Sequence, residues 1–219
     1  MNIILITSLI NPPDLPFSYI NKRSIYTSET RFEQTKKTIE SVKKNIPEYY
    51  IIFIEASLIS EHQTEYFQNN TNYFVNLFQN QRVMHNINSM SKALGECTLI
   101  QTAIDYIVEQ KLDYKNFFKL SGRYWINEKF NYDSFNNDYI IVKKINNDIN
   151  NIVTILYKLP KNLLTEWYNF INNSKEDLLN CIGAEVLFAR FVNTLNNYVY
   201  IDSLGVQGNI AVSGDEINI

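Results

Sequence analysis

The sequence predicts an α/β fold in one domain, on three observations. An apolar run from Ile3 to Ile10 is cut off by Asn11-Pro12-Pro13, as a buried first strand entering a loop would be. A helix-period stripe follows, with Phe32, Thr35, Ile39, Val42 and Ile46 at alternating steps of three and four until Pro47 stops it. Tyr49 to Ile54 is again apolar and β-branched, which completes a strand–helix–strand unit. The length of 219 residues suits a single core better than two.

The loop from Pro12 to Ser28 carries Lys22, Arg23, Ser24 and Tyr26 and is longer than a plain strand-to-helix connection, a length that often accompanies function. Thr30-Arg31-Phe32-Glu33 has capping-box spacing and sets Arg31 and Gln34 in the first turn. There a guanidinium and free backbone N–H groups can meet a phosphate together, or the Arg is simply solvated. Glu55 closes the second strand, where a carboxylate either accepts from a ribose or base or only caps the next helix. A polar helix is expected over residues 57–70 and a third strand from Tyr73 to Phe78. The helix after Ser91 has Cys97, Ile100, Ile104 and Ile107 as its apolar face, with Lys92 and Glu96 one turn apart as an ordinary ion pair. Its Gly95 costs about 1 kcal/mol relative to Ala and so calls for something close to that backbone.

The middle of the chain is organised around Asn116 to Asn127. An apolar run ends at Ser121-Gly122, where the backbone is free to turn, and Arg123, Tyr124 and Trp125 follow at once. Ligands of open α/β sheets sit outside the carboxyl ends of strands, and an Arg there offers a fork suited to phosphate; a strand, a turn and a surface Arg is the other reading. Tyr139 to Lys143 and Ile152 to Tyr157 read as further strands, and Leu164, Trp167 and Ile171 as a helix. A last helix is expected from Ser174, its stripe running through Leu178, Cys181, Glu185, Phe188, Val192 and Leu195. Glu185 falls where an apolar residue belongs, so it faces a cavity or is paired, for instance with Arg123. After a strand from Val199 to Asp202, Gly205-Val206-Gln207-Gly208 lacks the Lys-Ser/Thr and helix of a P-loop and reads as a mobile or tightly turned loop.

With 20 Lys and Arg against 23 Asp and Glu, the net charge of −3 gives no basic field for nucleic acid. Hydrophobic content of 45% is ample for a packed interior. Cys97 and Cys181 lack metal or disulfide spacing, and His62 and His85 have no evident partner for a triad. The opening apolar run has no basic flank and is cut short, so it is not read as a signal peptide, and no run reaches membrane-spanning length. A cytoplasmic protein is expected.

Several short motifs together resemble small GT-A-type glycosyltransferases. They are Ile3 to Ser8, Arg23-Ser24, Arg31 to Thr35, Ser91-Lys92 with Gly95-Glu96, Lys119 to Tyr124, Gly183-Ala184-Glu185 and Gly205 to Asn209. Similar compact domains are encoded by some large DNA viruses and bacterial surface-polysaccharide clusters. The resemblance implies a mixed, mostly parallel sheet flanked by helices, with a Rossmann-like nucleotide-binding part in residues 1–127 and an acceptor-binding part in 128–219. It also implies a nucleotide-sugar donor, usually UDP-linked, and a saccharide acceptor. Thr7, Ser8, Arg31 and Glu55 would flank the nucleotide, with Lys92, Ser121, Gly122 and Arg123 at the diphosphate. Glu185 would be the general base on the acceptor. Tyr124 and Trp125, with Gly205 and Gly208, would shape the sugar and acceptor subsites. The family's Asp-x-Asp metal motif is missing, which leaves Mn2+ or Mg2+ open and puts a cation, Arg123, in its place. A non-catalytic saccharide- or nucleotide-binding module and a sugar nucleotidyltransferase are the alternatives, the latter disfavoured because no glycine-rich basic loop follows the first strand.

Overall fold

A computed structural model describes residues 1–219. In chain order the first half comprises β1 (Asn2–Ser8), α1 (Ser28–Asn45), β2 (Tyr49–Glu55), α2 (Glu61–Asn70), β3 (Tyr73–Asn76), α3 (Gln81–Ile87), α4 (Lys92–Glu109) and β4 (Asn116–Ser121). Next come β5 (Tyr124–Ile126), α5 (Tyr132–Phe135), β6 (Ile140–Val142), β7 (Lys144–Ile145), β8 (Asp148–Ile152) and β9 (Leu156–Pro160). The chain ends with α6 (Leu164–Asn173), α7 (Lys175–Leu179), α8 (Ala184–Asn193), β10 (Tyr198–Tyr200), β11 (Val206–Asn209) and β12 (Glu216–Asn218).

Seven strands form one sheet in the order β10-β6-β9-β4-β1-β2-β3. All its pairings are parallel except those of β9, which runs against both β4 and β6. β1 is buried at every residue because strands flank it on both edges and helices cover both faces. The period of two sorts its side chains: Ile3 and Leu5 join the core beneath α3, α4, α6 and α8, while Ile4 and Ile6 join the core with α1 and α2. On that second face the rings of Phe53 and Phe67 stack at 4.2 Å and tie α2 to the sheet. The chain leaves β1 toward β2 on one side and returns at β4 on the other, which makes the β1–β4 border the topological switch point.

Helix starts follow their caps. Thr27 accepts from the Thr30 N–H at 3.2 Å, so α1 begins before the Thr30 start that the capping-box spacing indicated. Ser91 caps α4 through Leu94. Gly95 packs α4 close to α3, since a Cβ there would stand 3.2 Å from Ile87 Cδ1 and 3.4 Å from its Cα.

Two expectations are corrected. The helix from Ser174 is not continuous: it breaks between α7 and α8, where Cys181 takes a left-handed φ of 62° and Gly183 becomes the next N-cap. Glu185 thus sits in the first turn of α8 rather than midway along an apolar stripe. The glycine-rich segment Gly205 to Asn209 is no mobile loop, for β11 is the middle strand of a small sheet ordered β12-β11-β5. Gly208 is required there because a Cβ would lie 2.5 Å from the Arg123 carbonyl oxygen.

Candidate functional site

The carboxyl ends of β1 and β4 open into a cleft of about 1070 Å3, including its mouth. β1 supplies Thr7 and Ser8, β4 supplies Ser121, the turn after it supplies Arg123, and the start of β5 supplies Tyr124. α1 brings Arg31, α4 brings Lys92, Gly95 and Glu96, and α8 brings Glu185, with Thr154 between β8 and β9. The Pro12–Ser28 loop roofs one side with Phe17, Tyr19 and Arg23.

The turn that aims Arg123 is built on Gly122. The Gly122 N–H donates to the Thr7 carbonyl at 2.9 Å, and Thr35 Oγ1 donates to the Gly122 carbonyl at 2.7 Å. A Cβ on Gly122 would lie 3.1 Å from the Thr7 oxygen, so the glycine allows this close approach without itself lining the cleft.

None of the three guanidinium groups that line the cleft has a carboxylate within ion-pair distance; Arg23 is taken by backbone carbonyls, and Arg31 and Arg123 are coupled to each other by charge. Arg31 is buried, with Nε donating to the Leu9 carbonyl at 2.6 Å and Nη1 to Ser24 Oγ at 3.3 Å. Burial first, then the Arg123 charge, draws its pKa down to about 9, against the opposing pull of Glu55 and Tyr124. Arg123 lies 5.5 Å over the Tyr124 ring, and its buried Nε has no hydrogen-bond partner. Two cations that repel each other thus stand together at the strand ends, one with an unsatisfied donor.

The carboxylates of the cleft are engaged by lysines. Glu185 Oε1 accepts from Thr154 Oγ1 at 3.2 Å and lies 3.8 Å from Lys92 Nζ. Glu96 pairs instead with Lys119, whose ammonium is fully buried and also donates to Ser121 Oγ and the Thr154 carbonyl, each at 2.8 Å. Burial would raise the Glu96 pKa, but Lys119 and Lys92 prevail and hold it below the usual carboxylate range. The expected Lys92–Glu96 pair is therefore replaced by two tertiary pairs. Arg123 is no partner of Glu185 either.

Of the residues singled out in the sequence, Thr7, Ser8, Arg31, Lys92, Ser121, Arg123, Tyr124 and Glu185 line the cleft. Glu55, Trp125, Gly205 and Gly208 do not. Strand alternation turns Trp125 away from Tyr124 and under Lys37 of α1, 5.2 Å from the ring. Gly205, at φ 65°, fits against Phe130, where a Cβ would be only 2.3 Å away. Glu55 is fully buried and spent on the protein: it accepts from the Ile10 N–H at 3.1 Å, the Ala56 N–H at 3.1 Å and Ser57 Oγ at 2.5 Å. It thereby holds the turn that carries Leu9 and Ile10 beyond β1.

Burial raises the Glu55 pKa above its ordinary 4.5, despite these donors. A raised carboxylate gives stability that is complete below the unfolded value and is lost as pH rises through the folded one. The unfolding free energy of the wild type minus that of Glu55→Gln is therefore expected to fall as pH rises from about 4 toward 8, measured by urea titration at each pH. A flat difference would refute the assignment.

Sequence reasoning missed Arg23, Lys119, Glu96 and Thr154 as parts of the site. Arg23 is buried and donates to the carbonyls of Ile87 at 2.5 Å, Ser89 at 2.6 Å and Leu15 at 2.7 Å, which pins the roof loop to the α3–α4 junction. Lys119 could have been found, because its place between Phe118 and Leu120 in a buried strand demands a partner.

No family model and no curated protein matches the sequence. Solved structures do match in fold. A nucleoside-diphosphate-sugar pyrophosphorylase from Vibrio cholerae RC9 aligns with a TM-score of 0.53 at 13% identity, over 97% of this chain and 96% of that one. An active-site mutant of LgtC aligns with a TM-score of 0.52 at 10% identity, over 91% of this chain and 72% of that one. The glycosyltransferase GlyE of Streptococcus pneumoniae TIGR4 aligns with a TM-score of 0.50 at 10% identity, over 91% of this chain and 45% of that one. The fold is that of the nucleotide-diphospho-sugar transferases. The fold is of the compact GT-A type, with the mixed, mostly parallel sheet that the resemblance implied. No helix is long and apolar enough to cross a membrane.

The divalent ion common to such folds finds no matching donor set. The cleft carboxylates, Glu96 and Glu185, are each taken by a lysine, and no group of three His, Cys, Asp or Glu side chains comes together. The residues present do not fit Mn2+ or Mg2+.

Proposed function

We propose that this chain is a glycosyltransferase that moves a hexose or deoxyhexose from a nucleotide-sugar, a UDP-sugar by the resemblance, to a glycan. The observation that carries this reading is the pair of uncompensated guanidiniums, Arg31 and Arg123, in one cleft with the lysine-held carboxylate of Glu185. The acceptor hydroxyl attacks the anomeric carbon and gives its proton to Glu185, while the bond from that carbon to the phosphate oxygen breaks. The nucleoside diphosphate leaves with the electron pair, and Arg123 and Arg31 meet the charge as it develops. Lys92 Nζ stands 3.8 Å from that carboxylate. Thr154 orients that carboxylate.

The test is a panel of UDP-, GDP- and dTDP-sugars with saccharide acceptors, with free nucleotide as the readout. Release is expected to be unchanged by EDTA, and Glu185→Gln is expected to lower it by about 10² to 10⁴ while nucleotide still binds. EDTA-sensitive turnover would defeat the cation account, and tight UDP binding without turnover would favour a binding module. A second reading, sugar nucleotidyl transfer, has the Vibrio cholerae pyrophosphorylase likeness in its favour. Pyrophosphate-dependent breakdown of a nucleotide-sugar would establish it instead.

A further inference from the structure

A second, smaller cavity of about 460 Å3, including its mouth, lies beside the cleft, between the roof loop and the α7–α8 break. The two cavities share Tyr19, Lys92 and Glu185. We infer that the smaller cavity receives the terminal pyranose of the acceptor glycan, with Tyr19 as its platform and Glu185 Oε2 as the atom its hydroxyl meets. This rests on the transferase reading above and moves the acceptor subsite away from Trp125, Gly205 and Gly208.

The two oxygens of Glu185 face different surroundings. Oε1 is taken by Thr154 and Lys92, whereas Oε2 accepts no hydrogen bond from the protein. Oε2 lies toward Gly183, where a Cβ would be 3.2 Å from it, and Gly183 lines the smaller cavity and not the cleft. A hydroxyl proton reaching this carboxylate therefore has an open oxygen on that side. Ala184 and the break at Cys181 leave room for a ring there, since the wall is a helix start with small residues.

Tyr19 is 64% exposed, a large ring left mostly in solvent. Its position is nonetheless fixed. The ring stacks on Phe17 at 5.8 Å with planes 17° apart, and the Arg23 guanidinium lies 4.1 Å from the Phe17 ring. The Phe17–Ile20 bridge and the Ser18 N–H, which donates to the Met90 carbonyl at 3.0 Å, hold the same tip. A rigid exposed aromatic face beside hydrogen-bonding groups suits the apolar face of a pyranose.

Cys181 is a built-in reporter, for it lines the smaller cavity and not the cleft and is half-exposed, while Cys97 is buried. Alkylation of Cys181 by iodoacetamide is followed by mass spectrometry with methyl glucoside, methyl galactoside, methyl mannoside, lactose or maltose present, and separately with UDP. At least one sugar is expected to slow modification several-fold and UDP is not. Tyr19→Ala is expected to weaken that protection roughly three- to tenfold, and Tyr19→Phe to retain it. Absence of protection by every sugar, or equal protection by UDP, would overturn the assignment. Sugar protection in a protein that releases nucleotide from no donor would leave the saccharide cavity standing and sink the transferase reading alone.

Discussion

Lys119→Met is expected to destabilise the fold by about 3–5 kcal/mol, read as a fall in the urea midpoint at unchanged slope. The substitution keeps the volume and apolar stem but removes a fully buried ammonium and its bonds to Glu96, Ser121 and the Thr154 carbonyl. The cost comes mostly from what remains: a Glu96 carboxylate with 13% of its side chain exposed and its nearest cation gone. Adding Glu96→Gln should return a substantial part of the loss, so the double-mutant cycle should show strong coupling. Additive effects would show that the pair does not act as a unit. The half-exposed pair of Arg190 and Asp177, 2.9 Å apart, should change stability by less than about 1 kcal/mol when either partner is removed.

Arg123→Ala is expected to reverse that pattern, with a loss of turnover and none of stability. If the guanidinium meets the leaving diphosphate, kcat/KM for the nucleotide-sugar should fall by about 10² to 10³. Arg123→Lys should recover only part, because a point charge does not replace a planar fork. Stability should be unchanged or slightly higher, since Arg123 has no carboxylate partner and its charge opposes that of Arg31. Nucleotide release assays and urea titrations on the same samples decide it. A variant that unfolds as easily as Lys119→Met, or that turns over normally, would remove Arg123 from the chemistry.

These two residues also mark what could be read from the chain. The alternation of strand and helix up to β4 follows from local pattern, because each apolar run is bounded by a cap, a proline or a glycine. The gathering of Thr7, Ser8, Arg31, Ser121 and Arg123 follows from one rule of parallel sheets, that the loops at the carboxyl ends converge. Partner choice was not legible. Lys92 and Glu96 have helical spacing for each other, yet each finds its partner on another element, Glu185 on α8 and Lys119 on β4. The α7–α8 break was hidden because the residues flanking it keep helical spacing, and only the backbone angle at Cys181 reveals it. β11 was hidden for the opposite reason, since Gly208 within it and Gly205 just before it serve close backbone packing rather than mobility. The outward turn of Trp125 was legible in principle, because neighbours on a strand point to opposite faces.

The clamp that Arg23 makes on Ile87, Ser89 and Leu15 bears on how a ligand would be held. A roof loop fastened at several carbonyls has already surrendered most of its conformational freedom during folding. Little ordering entropy is left for a ligand to supply, so the affinity of the cleft reports its contacts rather than the closing of a flap.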